Sequence, residues 1–120
     1  MKLATFTSDG KTRLGVVEGD EVCDVGAAAP RLPTGLRSLL CGGPEALEAT
    51  ARACAAAPRL PLAGVHLEAP IPNPGKFLAV GLNYAEHICE VGMATPRNPS
   101  CFAKVGTCIN GPYDLSLIHI

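Results

Sequence analysis

Apolar and polar residues alternate with a period of two in three short runs near the start of the chain. Lys2 to Thr7 and Thr12 to Glu18 flank Ser8-Asp9-Gly10, a hairpin signal, and Glu18-Gly19-Asp20 turns the chain again into Glu21 to Val25. The pattern predicts a small antiparallel meander. Pro30 to Pro33 then forms a linker with two helix breakers. Thr34 is placed to cap a short helix over 35–41, stopped by Gly42-Gly43. Pro44 suits the first turn of a second helix, and Glu45 and Glu48 suit its positive dipole end. That helix is expected over 44–57, with Leu47, Ala51 and Cys54 forming its apolar stripe. Leu60 to Pro74, rich in proline and glycine, reads as a connection between a small N-terminal domain and the start of a second one. Within it Val65-His66-Leu67 is a short apolar strand, and His66 is expected to face solvent without a partner.

A second informative stretch, KFLAVGLNYAEHICE, runs from Lys76 to Glu90. Phe77 to Val80 has the length of a strand, and Gly81 breaks it. Asn83 is an N-cap candidate for a helix from Tyr84 to Val91, with Gly92 ending it. Three residues separate His87 from Glu90, so their side chains share a helix face. A carboxylate beside an imidazole fixes its tautomer and raises its basicity, as a general base requires. The same spacing also describes an ordinary solvated pair. Cys89, inside this helix, has no activating neighbour and reads as a packing thiol rather than a nucleophile.

Composition narrows the classes. Hydrophobic residues make up 48% and charged residues 18%, as in a globular chain and not a disordered one. Ten basic and eleven acidic residues leave a net charge of −1 without a basic patch, which argues against a nucleic-acid partner. The 120 residues suit one domain or part of a larger protein, and with 4% aromatics any core is thin. No secretion signal opens the sequence and no apolar run has the length of a bilayer span, so the expected setting is cytoplasmic, with no membrane partner. None of the six cysteines forms a C-x-x-C pair, so reduced thiols are expected in place of a zinc site or a disulfide framework.

GKFLAVGLNYAEHICEVGM, followed by NPSCFAKVGTCINGPYD, resembles the fumarylacetoacetate hydrolase family, specifically members acting on 2-oxo and 2,4-dioxo acids. The resemblance implies an α/β (α+β) fold: a small antiparallel meander with two helices over 1–69, then the first strands of a mixed β-roll over 70–114. It implies a metal-dependent hydrolase that cleaves a C–C bond in an acylpyruvate or 2,4-dioxo acid, with His87 and Glu90 as the dyad that activates water. Lys104, in Phe102-Ala103-Lys104, is placed near the substrate, as are Leu82 and Asn83; apart from the resemblance, Lys104 is equally a surface lysine on a strand. Leu82 stands where some acylpyruvate-cleaving members carry arginine, which weakens the case for oxaloacetate. The family's Mg²⁺ or Mn²⁺ is held by a Glu-x-Glu pair and an Asp that fall after Asp114, so no metal ligand is assigned in this chain. The chain is accordingly expected to be an inactive and marginally stable fragment of a homodimeric enzyme whose partner is a small 2-oxo acid. Lyase, isomerase or decarboxylase chemistry of the ureidoglycolate lyase kind is the alternative, as is a non-catalytic remnant. Residues 115–120, LSLIHI, match a translated transposon-end adapter and are expected to be a non-native tail, with a short edge strand as the other reading.

Overall fold

The computed structural model describes residues 1–115; apart from Leu115, the expected adapter tail lies outside the described residues. The chain divides into two units. One comprises Met1–Pro72 together with the segment that begins at Ile109, and the other is Asn73–Cys108. Strands and helices mix in an α+β arrangement.

In the first unit, β1 (Lys2–Ser8), β2 (Lys11–Glu18) and β3 (Glu21–Asp24) form the antiparallel meander, in register from Lys2 opposite Val17 to Glu18 opposite Glu21. Asp9 (φ 51°) and Gly10 (φ 69°) are both left-handed, the two-residue turn whose twist matches the flanking strands. The third strand stops one residue before the expected end. The Asp24 carboxylate accepts a hydrogen bond from the Ala27 amide at 3.2 Å and starts a helical turn, α1 (Val25–Ala28), that the alternation did not foretell. Its other oxygen accepts from Arg13 at 3.2 Å.

The next helix, α2 (Leu36–Cys41), is capped by Gly35 and not by Thr34, and it buries Leu36 and Leu39. The third, α3 (Gly43–Cys54), ends three residues before the expected Ala57. Its inward face is Ala46, Leu47, Thr50 and Cys54, whereas Ala51, assigned to the stripe from sequence, is exposed. Thr50 takes the central position because its hydroxyl donates to the Ala46 carbonyl at 2.8 Å, so no polar group is stranded.

The proline-rich stretch after α3 is not a simple connection. Strand β4 (Arg59–Pro61) pairs with β3, and β5 (His66–Leu67) pairs with β1, giving the sheet order β4-β3-β2-β1-β5. The short apolar strand expected at residues 65–67 is thus β5, and together with β4 it covers both edges of the meander. Long-range bonds hold β5 in place: the Glu68 amide donates to Thr5 O at 2.9 Å, and the Thr5 hydroxyl donates to Pro70 O at 2.7 Å. His66 does have a partner, since its Nε2 lies 3.3 Å from Asp114 Oδ1.

One sheet face packs Leu14, Val16 and Cys23 against Val25, Leu36, Leu39 and Cys54. On the other, Phe6 and Val22, both fully buried, close over Gly15. Burial first, then the hydrogen bond and charge of Cys23, push the Cys54 thiol up from 9.0 to about 12. Between those values an unfolded thiol is ionised while the folded one keeps its proton. The native state therefore binds more protons, and stability falls as pH rises through that window. Thermal melts on either side of pH 9 should show the decline, and Cys54→Ala should have the shallower pH slope even if it is less stable throughout. Equal slopes would exclude Cys54 as the source.

In the second unit, β6 (Phe77–Gly81) and β7 (Ser100–Lys104) pair antiparallel, from Phe77 opposite Lys104 to Gly81 opposite Ser100, and α4 (Ala85–Glu90) connects them with a loop. Leu78, Val80 and Phe102 are more than half exposed on this two-stranded ribbon. A ribbon of this size is marginal in water without further cover.

Candidate active site

The dyad helix is positioned from both ends. Leu82 leaves β6 with φ 52°, a left-handed conformation that a bulky side chain rarely adopts. The turn uses up Asn83, so the N-cap falls on Tyr84, which makes no side-chain capping bond. One sequence expectation is corrected here: Asn83 does not cap, and Tyr84, which stands at the N-cap, is 72% exposed. At the other end Gly92 (φ 66°) donates to Cys89 O at 3.1 Å and Met93 donates to Ile88 O at 3.2 Å, a Schellman closure. Ile88 is the buried residue of the helix, and Cys89, expected to pack, is exposed.

With Ile88 turned inward, His87 and Glu90 project outward on consecutive turns. His87 Nδ1 lies 3.3 Å from Glu90 Oε2, with 55% and 78% of the two side chains exposed. With the imidazole proton on Nδ1, the ring donates to the carboxylate and leaves Nε2 free to accept a proton. Glu90 would then stabilise the imidazolium that forms. The arrangement can remove a proton from a group presented to Nε2.

Leu82 and Asn83 are brought together in a different place. They line a cavity of about 560 Å³ between the strand–helix turn and the loop over 95–100, with Ile88 in its wall. His87, Glu90 and Lys104 are not part of that lining. Lys104 sits at the end of β7 with Nζ 6.0 Å from the centre of the Phe77 ring, at the outer range of a cation–π contact. Arg97 is a cavity cation that the sequence reading passed over. Its signal was present: a lone basic residue in a loop bracketed by Pro96 and Pro99.

No family model matches the chain. A rat protein named oxaloacetate tautomerase Fahd2a, mitochondrial, is 40% identical over 97 residues, 80% of this chain and 31% of that protein. The fumarylacetoacetate hydrolase of Exiguobacterium antarcticum superposes with a TM-score of 0.67 at 34% identity, over 95% of this chain and 39% of its own. The chain belongs to the fumarylacetoacetate hydrolase family. A maleylpyruvate hydrolase from a Sphingobium species, solved with manganese(II) and pyruvate, matches with a TM-score of 0.63 at 34% identity, over 95% of this chain and 40% of that one. The chain thus spans about 31% of the length of its rat relative.

Does the fumarylacetoacetate hydrolase unit in hand carry the ligands for such a cation beside the dyad? It does not. The second unit's carboxylates are Glu86 and Glu90, both exposed, and no third one joins them. Among the described residues, the ligand atoms that do converge belong to His66, Glu68 and Asp114 in the first unit.

Proposed function

We propose that the full-length protein is a fumarylacetoacetate hydrolase family enzyme cleaving a C–C bond in an acylpyruvate or 2,4-dioxo acid, with His87 as general base and Glu90 as its positioning carboxylate. The observation that carries this is the 3.3 Å contact between His87 Nδ1 and Glu90 Oε2 on an accessible helix face. In the proposed step Nε2 accepts a proton from water as the water oxygen bonds to the substrate carbonyl carbon. The resulting oxyanion collapses, the C–C bond breaks, and its electron pair leaves as an enolate, to which the imidazolium returns the proton. Lys104 and Arg97 are the cations proposed to meet the substrate's carboxylate, with Leu82 and Asn83 shaping the cavity beside Arg97. The manganese and pyruvate of the Sphingobium hydrolase support Mg²⁺ or Mn²⁺ as cofactor and a small 2-oxo acid as ligand. A homodimer in the cytoplasm is the proposed state of the whole protein; the rat relative's name says mitochondrial, and imaging a tagged full-length protein decides the compartment.

The rat relative's name favours a second reading, keto–enol tautomerisation of oxaloacetate, which needs the same base but breaks no C–C bond. It restores a substrate against which Leu82 had weighed. Assaying the full-length protein with Mn²⁺ separates the two. Metal-dependent cleavage of acylpyruvates supports the hydrolase; accelerated oxaloacetate interconversion without cleavage supports the tautomerase. A folded, metal-loaded protein that does neither sinks both. The 120-residue chain alone is expected to show no turnover with either Mg²⁺ or Mn²⁺, because among the described residues no third carboxylate of the second unit joins Glu86 and Glu90. Turnover by that chain would refute this account of the dyad's needs.

A further inference from the structure

We propose that His66, Glu68 and Asp114 form a site for a divalent transition-metal ion, on the β5 edge of the five-stranded sheet in the first unit. Edge strand β5 sets two of the ligands. His66 and Glu68 are two residues apart, so they project to one face, and the Glu68 amide is tied to Thr5 O at 2.9 Å. Asp114 arrives from the segment that begins at Ile109, and its Oδ1 lies 3.3 Å from His66 Nε2. One ligand atom from each residue falls within 4.8 Å of the other two. Small torsional shifts bring such a triad onto an ion at the ~2.0–2.2 Å bond lengths of nitrogen and oxygen ligands.

Supporting contacts distinguish this group from an accidental surface cluster. The Thr7 hydroxyl donates to Glu68 Oε1 at 2.6 Å, and the Gly111 amide donates to Asp114 Oδ2 at 2.7 Å. Each carboxylate is therefore oriented through one oxygen, as outer hydrogen bonds do for metal-bound carboxylates, and the other Asp114 oxygen, Oδ1, faces His66 Nε2, a contact that an ion would replace. Gly111 is needed for the approach: a Cβ there would lie 2.9 Å from Asp114 Oδ2 and 3.1 Å from Leu67 O. His66 and Asp114 keep 49% and 36% of their side chains exposed, so an ion reaches them from solvent. One imidazole with two carboxylates suits Zn²⁺ or Co²⁺, with water completing the shell, and discriminates against Mg²⁺, which takes oxygen ligands. The two negative charges balance the ion. Bound metal would fasten the segment around Asp114 to the sheet edge.

The test is a Co²⁺ titration of the full chain after alkylation of its exposed thiols, followed by visible absorption. Saturation at one equivalent without thiolate charge-transfer absorption is expected, with displacement by Zn²⁺ and not by Mg²⁺. H66Q and E68Q should each weaken binding at least about tenfold, and T7V less, with circular dichroism unchanged. E68Q keeps the side chain's shape, so it decides the matter if H66Q perturbs folding. No saturable absorption, or saturable binding indifferent to E68Q and H66Q, would overturn the site.

Discussion

Replacing His87 by alanine in the full-length protein is expected to lower kcat by about 10²–10⁴-fold, the usual contribution of a positioned general base. Affinity for Mn²⁺, read by calorimetry, should stay almost unchanged, because neither His87 nor Glu90 is assigned to the ion. His87 is exposed and Ile88 anchors the helix, so the substitution removes chemistry without opening the core. Glu90→Gln separates positioning from catalysis. It keeps the side chain's length but removes the carboxylate that orients the ring, so kcat should fall, by less than with His87→Ala, while substrate affinity holds. A His87→Ala enzyme that keeps near-normal turnover would end the assignment of this dyad.

The largest loss of stability is expected from a single added methyl group. Gly15 lies mid-strand in β2, and a Cβ there would sit 2.8 Å from Phe6 Cε1 and closer still to Val22 Cγ2. Neither neighbour can retreat, since Phe6 and Val22 are both fully buried. Overpacking of this sort costs about 1–3 kcal/mol, and more where backbone must move, against net domain stabilities of about 5–15 kcal/mol. Gly15→Ala should therefore lower the urea midpoint sharply. Gly64→Ala, with open space around its Cβ position, is the matched control and should change little. Comparable midpoints for the two variants would mean the sheet face over Gly15 is looser than its packing indicates.

Local signals were enough for much of this molecule. The alternation over residues 2–24, the Asp9-Gly10 turn, the Pro44 helix start and the strand at Phe77 each rest on interactions within a few residues. The three-residue step from His87 to Glu90 is likewise a property of one helical turn, which is why the spacing and the 3.3 Å contact agree. Family likeness added the chemistry, because no periodicity distinguishes a base from a solvated histidine.

What escaped the sequence depends on residues far apart in it. Which face of α3 turned inward was decided by Thr50, whose hydroxyl could satisfy itself on Ala46 and so enter a core that Ala51 did not. The N-cap of α4 shifted from Asn83 to Tyr84 because the chain passes through a left-handed Leu82. Strand β5 was expected from its apolar run, but its pairing with β1 was not, and β4, at three residues, carries no pattern of its own; both serve the meander's edges. His66 gained Asp114, and Thr5 gained Pro70, through closures spanning much of the chain. Periodicity and turn chemistry are short-range, so the sequence alone determined the elements. Edge pairing, burial and side-chain convergence are set by which surfaces meet, and only the tertiary structure decided those.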